Sequence, residues 1–183
     1  YTKTPKINNE KRFNSEISSR YASAQKALNY HLETEVSFNK WASYTSVSFS
    51  NFGDVRMGKN RQHGYDNWGL VPNYSANTET AFFVGPSINP NPNIQKNSSY
   101  SQWDILQKIA VTLPMESQFL LNIHYSTSSN IPRFDKLNEY RNGSLRFAEW
   151  NYGPQGRLLI SPQLKLFPKK RFLYKGTVTT AFQ

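Results

Sequence analysis

The chain has no cysteine, 12 acidic residues against 22 basic ones, and 3 histidines in 183 residues. It also has no apolar run near the ~18 residues that a membrane-crossing helix needs. Without cysteine there is no disulfide and no thiol nucleophile, although this does not place the compartment. The histidines, His31, His63 and His124, are far apart, and neither a His-Glu-x-x-His pattern nor a glycine-rich phosphate loop is present. No catalytic residue, no metal site and no cofactor is therefore expected. The excess of base gives a net charge of +10, but the lysines and arginines are spread over turns, loops and strand faces. A nucleic-acid site would gather them into a patch, so no nucleic acid is expected as a partner.

What is abundant is aromatic: 15% of residues are Phe, Trp or Tyr, in a chain whose mean hydropathy is a polar −0.68. Two classes combine these properties. One is a transmembrane β-barrel, in which only alternate strand residues meet lipid. The other is a soluble β-sandwich that binds carbohydrate through loop aromatics.

The stretch from Ser101 to Ser129 is the clearest organiser. Phe119, Leu121, Ile123 and Tyr125 fall on one parity, with Asn122, His124, Ser126 and Ser128 on the other. That is a strand with one apolar and one polar face. Before it, Trp103, Ile105, Ile109 and Val111 share a parity, although Leu106 and Gln107 sit on the wrong sides. Pro114-Met115-Glu116-Ser117 joins the two arms as a turn. Arms of about ten residues tilted by ~45° rise roughly 25 Å, the height of an outer-membrane apolar band.

Similar alternation predicts a strand from about Ile17 to Val36, another from Trp41 to Ser50, and a hairpin around Pro168-Lys169-Lys170-Arg171. Pro162 lies within the first arm of that hairpin and predicts a bulge or weak pairing. Residues 1–15 are unpatterned and read as loop. The stretches 51–99 and 130–155 are rich in turn signals and read as long loops, which are usually functional when ordered. The expected fold is all-β, an open six-stranded antiparallel up-and-down meander. Its short turns near 38, 115 and 169 should gather at one end and its long loops at the other. Leu28, Tyr30, Leu32, Trp41, Val47, Phe49, Phe119, Leu121, Ile123, Leu158, Ile160 and Val178 should share one convex face. His31, Glu33, Asn122, His124, Gln163 and Lys165 should share the opposite one. The aromatics Phe38, Trp41, Phe119, Phe167 and Phe172 fall by the short turns, and Phe49, Tyr100, Trp103 and Tyr125 toward the long loops. Taken singly, each is a packing residue; together they resemble two interfacial girdles.

The blocks FGDVRMG, STSSNIPRFDKL and FAEWNYGPQ, with the hairpins around them, resemble the barrel region of TonB-dependent outer-membrane receptors. The branch they are most similar to is the one labelled haem, haemoglobin or transferrin receptor. The resemblance runs from about Ser18 to the C-terminus. It implies a large, roughly 22-stranded transmembrane barrel, closed by a plug domain, located in the cell outer membrane. It also implies uptake of a scarce nutrient, haem or another iron source, with energy from the TonB complex. Residues 1–183 would then be part of one barrel domain, a fragment without its plug, TonB-contacting segment and remaining strands. Its partners would be outer-membrane lipid, an extracellular nutrient ligand and the TonB complex, reached through the missing N-terminal part. The opening at Tyr1 and the ending within GTVTTAFQ fit a piece of a longer chain.

Candidate substrate-binding residues come from the two long loops. His63 lies beside Arg61, Tyr65 and Trp68 in the first. A histidine there could ligate haem iron while arginine meets a propionate; the alternative is an ordinary loop residue. The second loop offers Arg133, Trp150 and Tyr152, either for ligand contact or for packing against neighbouring loops and the rim. The haem-receptor box Asn-Pro-Asn-Leu has only a near match, Asn91-Pro92-Asn93-Ile94, with no histidine close before it.

Overall fold

The computed structural model describes residues 3–62, 64–78, 80–168 and 174–183. His63, and Lys169, Lys170, Arg171 and Phe172 of the third expected turn, lie outside the described residues.

The chain is all-β and is dominated by one antiparallel sheet of seven strands in sequence order. These are β1 (Arg12–Ala22), β2 (Ala27–Phe38), β3 (Trp41–Phe52), β4 (Tyr100–Thr112), β5 (Gln118–Ser128), β6 (Gly156–Leu166) and β7 (Gly176–Thr179). Six of them are 11 to 13 residues long, about twice the usual ~5–6 of a soluble sheet. The strands β1 and β7 end the sheet, each with one hydrogen-bonded neighbour.

The expected six strands are seven, because the run expected as one strand from about Ile17 to Val36 is broken by a turn at 23–26 into β1 and β2, and β1 starts at Arg12, inside the segment read as loop. Arg12–Ser15 begin β1, which pairs with β2 along its whole length, Phe13 opposite Val36, Ile17 opposite Leu32 and Tyr21 opposite Leu28. Serines 15 and 19 sit between those apolar residues on the same face, which dilutes the alternation by which a strand is recognised. Residues 23–26 form a further short turn at the end occupied by the long loops. Ahead of β1, residues 3–8 lie across the polar face of the sheet. Lys3 pairs with Glu33, the Lys6 N–H donates to Glu35 Oε1 (3.1 Å), and Asn8 Nδ2 donates to Ser37 Oγ (3.3 Å).

Residues directly opposite in an antiparallel ladder point to the same face, so the registers assign every side chain. Ile17, Leu32, Val47, Ile105, Tyr125 and Leu158 form one row across six strands. Phe38, Trp41, Val111, Phe119, Leu164 and Val178 form another near the short turns. Tyr30, Phe49 and Trp103 lie on that face toward the loops, with the Phe49 and Trp103 rings 4.6 Å apart. All twelve residues expected to share a face do so, and the six polar ones share the other.

Burial is inverted relative to a soluble sheet. The large apolar side chains are exposed, Ile17 at 79%, Phe13 at 65% and Trp103 at 46%, whereas Ala27, Ala42, Tyr44, Ser46, Lys108 and Ala110 on the opposite face are buried. Among the described residues no second sheet covers the apolar face, since the other ladders are two residues long. Tyr44, out of pattern in the sequence, donates its hydroxyl to Glu33 Oε2 (2.7 Å) under residues 3–8. Gln107 lies on the apolar face, yet its amide is satisfied there: Thr45 Oγ1 donates to its Oε1 (2.6 Å) and its Nε2 donates to Ser43 Oγ (2.8 Å). Buried or apolar-facing amides are tolerated when paired in this way.

At Pro162 there is weak pairing without a bulge. Gln163 is paired with Thr179 and Ile160 with Phe182, so the register is continuous while the ladder of β7 stops at Thr179. Proline has no N–H to return to Thr180 O, and the neighbouring Ser161 hydroxyl donates to that oxygen instead (3.0 Å).

Candidate functional site

The turns Asn39–Lys40 and 113–117 lie at one end of the sheet. Asn39, at φ +54°, takes the left-handed conformation that a two-residue hairpin turn requires and that asparagine tolerates. The other end carries the segments 53–99 and 129–155, and the candidate residues belong to them.

The first long loop is held by amide side chains. Buried Asn89 donates through Nδ2 to Val71 O (2.8 Å) and Ile94 O (2.9 Å), and its Oδ1 accepts the Asn91 N–H (3.1 Å). The Asn-Pro-Asn-Ile stretch serves this scaffold, since Pro92 O accepts from Val71 N (2.8 Å). Arg61 donates from Nε to Trp68 O (3.0 Å) and from Nη2 to Asn93 Oδ1 (2.7 Å), and Trp68 N donates to Tyr65 O (3.0 Å). Arg61, Tyr65 and Trp68 thus share one turn, with Arg61 as its clamp and the two rings largely exposed. The clamp uses two of the five guanidinium N–H groups.

The second long loop starts and ends on a short ladder, Ile131–Pro132 against Asn151–Tyr152. Arg133 follows it and reaches back over the Tyr152 ring, 5.5 Å from its centre, while Nε and Nη2 donate to both oxygens of Asp135 (3.0 and 2.5 Å). The hydrogen-bonding guanidinium of Arg133 holds the Asp135 carboxyl below the usual range. Arg146, and after it Lys136, does the same to Glu139. Trp150 packs edge-on against Phe147 (4.3 Å, 72°), and its carbonyl accepts the Arg133 N–H (2.8 Å). Arg133, Trp150 and Tyr152 are therefore brought together, and much of their contact is internal to the loop.

His31 and His124 belong to the polar face of the sheet rather than to either loop. His31 Nδ1 is hydrogen-bonded to Ser48 Oγ (2.8 Å) and lies beside Glu33, and His124 lies 3.9 Å from Asp104. Among the described residues no group of three or more His, Cys, Asp and Glu could hold a metal ion.

Sequence reasoning missed the surface where the two loops meet. Asn73 Nδ2 donates to the Tyr140 hydroxyl (3.0 Å), joining them. Beside that link lie a groove of about 310 Å³ between the Phe82–Pro86 segment and residues 144–148, and a second of about 380 Å³ lined mainly by amides and hydroxyls. The available signal was the apolar triplet Phe82-Phe83-Val84 before Gly85-Pro86, isolated in an otherwise polar stretch.

Comparison of the chain with family models, with curated proteins and with solved structures finds no match. No helix among the described residues is long and apolar enough to cross a membrane, a finding that has no bearing on strands.

Proposed function

We propose that the chain is a stretch of the wall of a TonB-dependent outer-membrane receptor that takes up a scarce nutrient, haem or another iron source in the version the resemblance implies. The observation carrying this reading is the inverted sheet: long strands with large apolar side chains exposed on one face and a polar, partly covered face behind it. A soluble monomer rarely exposes a contiguous apolar surface on that scale, whereas lipid would cover it in a barrel wall. Both long loops leave one end of the sheet and the turns at 39–40 and 113–117 lie at the other, with the short 23–26 turn beside the loops, and this placing of the long loops supports the same reading. The absence of a covering sheet among the described residues weighs against the carbohydrate-binding sandwich.

On this reading the protein performs no catalysis. The long loops capture the ligand outside the cell, and the polar face lines the lumen through which it passes. Other parts of the protein supply the plug and the contact with the TonB complex that powers release.

Cysteine substitution gives a direct test, because this stretch contributes no thiol background. Arg141→Cys, in an exposed loop hairpin, should react with a membrane-impermeant maleimide on intact cells expressing the full-length protein. Lys40→Cys, in the opposite turn, should react only after the outer membrane is permeabilised. Equal labelling of the two in intact cells, or labelling of neither, refutes the reading.

A further inference from the structure

The two grooves between the long loops meet at Asn77 and Ala148, which line both. We propose that together they form a binding cleft for a neutral, polyhydroxylated ligand, an oligosaccharide, with amides along one half and phenylalanine rings along the other. This rests on the receptor reading, which places these loops outside the cell, and it names a cargo class different from haem.

The hydrogen-bond inventory of the amide half carries the argument. Asn77 Oδ1 accepts the Phe83 N–H (2.6 Å), which leaves the Asn77 NH₂ as a donor. Asn97 Nδ2 donates to Ser75 O (2.9 Å), which leaves its Oδ1 as an acceptor. Asn151 Nδ2 donates to Glu149 Oε1 (2.5 Å), which leaves the second carboxylate oxygen. Each of these three amides is fixed by one internal bond and keeps its other end, so a donor and several acceptors are already oriented. A hydroxyl is both donor and acceptor, and neighbouring hydroxyls on a sugar ring match such a surface with little rearrangement. An anion could use only the donors.

Charge points the same way. Among the described residues no lysine or arginine lines the amide half, and Glu149 does. A haem propionate, a phosphate or a sulfate meets no counter-ion there. Among the described residues the one cation of the adjoining half, Arg146, is ion-paired with Glu139 and lies 4.8 Å from the centre of the Phe147 ring.

The aromatic half suits the other surface of a sugar. Phe147 is held edge-on by Trp150, and Phe83 is 51% exposed although no strand or core requires it there. A pyranose ring presents C–H groups on one face, and these pack on an aromatic ring while the rim hydroxyls reach the amides. The cleft is of small-ligand size, enough for a few sugar units along its length.

The test uses the full-length receptor in detergent micelles, with arrayed neutral α- and β-glucan, mannan and galactan oligosaccharides and with haem as separate probes. At least one neutral series should bind. Its affinity should fall about tenfold or more in Asn77→Asp, which replaces the NH₂ by oxygen without changing shape, and similarly in Phe147→Leu. Heat-modifiable migration of each variant verifies that it folds. Binding of no neutral series, binding unaltered by both variants, or binding of haem alone overturns the proposal. The cysteine-labelling pattern judges the receptor reading separately: normal labelling with no glycan bound sinks only the cleft.

Discussion

Arginine placed at Leu32 probes what lies against the apolar face. Leu32 is at the middle of β2, 41% exposed, between Ile17 on β1 and Val47 on β3. If that face meets water, Leu32→Arg is a surface change worth within ~0.5 kcal/mol. If it meets the middle of a bilayer, the same change costs about 2–4 kcal/mol. Phe38→Arg supplies the internal comparison. Phe38 closes β2 at the short turn, 49% exposed. At ~3.3 Å per residue it is roughly 20 Å along the strand from Leu32, or about 14 Å along the bilayer normal at a ~45° tilt. There the cost falls to ~0–1 kcal/mol. The expected difference is therefore about 2–3 kcal/mol in favour of Phe38→Arg, although both side chains are similarly exposed. Urea titration of the full-length protein folded into phospholipid vesicles, followed by tryptophan fluorescence, measures it. Costs within ~0.5 kcal/mol of each other at the two sites refute a lipid-facing surface, and a larger cost at Phe38 refutes the depth assignment.

Two further outcomes follow from the loops. Gly53→Ala should loosen the junction between the first long loop and the 23–26 turn by about 1–3 kcal/mol, since its Cβ would sit 2.8 Å from the backbone oxygen of Gln25. Faster hydrogen exchange at the Arg56 amide, which donates to Ala24 O nearby (2.7 Å), reports this, and unchanged exchange contradicts the close approach. The second loop should hold its shape as pH drops from neutral through the ordinary carboxylate range near ~4. The carboxyls of Asp135 and Glu139 are depressed by Arg133 and Arg146, so the stability they add is present above that range and is lost only as pH falls through the depressed values. A fluorotryptophan label at Trp150 should show no change between about pH 7 and 4, and a transition centred in the ordinary carboxylate range near ~4 contradicts the ion pairing.

The sequence by itself determined the two faces of the sheet, the sequential order of its strands and the placing of both long loops at one end, but not the short 23–26 turn beside those loops. Side-chain direction alternates with period two, so the residues from Leu28 to Val47 and from Trp103 to Ile160 declare their faces without reference to anything distant. A turn of a few residues leaves its flanking strands no partner but each other. Where that local signal is thin, tertiary structure decided. The partner strand β2 defines β1 as a strand, because Phe13, Ile17 and Tyr21 are spaced by four and their meaning comes from Val36, Leu32 and Leu28 opposite. Gln107 stays on the apolar face without a register slip because Ser43 and Thr45 of the neighbouring strand satisfy its amide. Residues 3–8 find their place through Glu33, Glu35 and Ser37, about 29 positions away. The cleft is the extreme case. Asn77 and Ala148 meet because two irregular loops lean together, held by single amide and hydroxyl bonds such as Asn73 to Tyr140. Bonds of that kind have no period along the chain, and only the folded geometry brings their partners within reach.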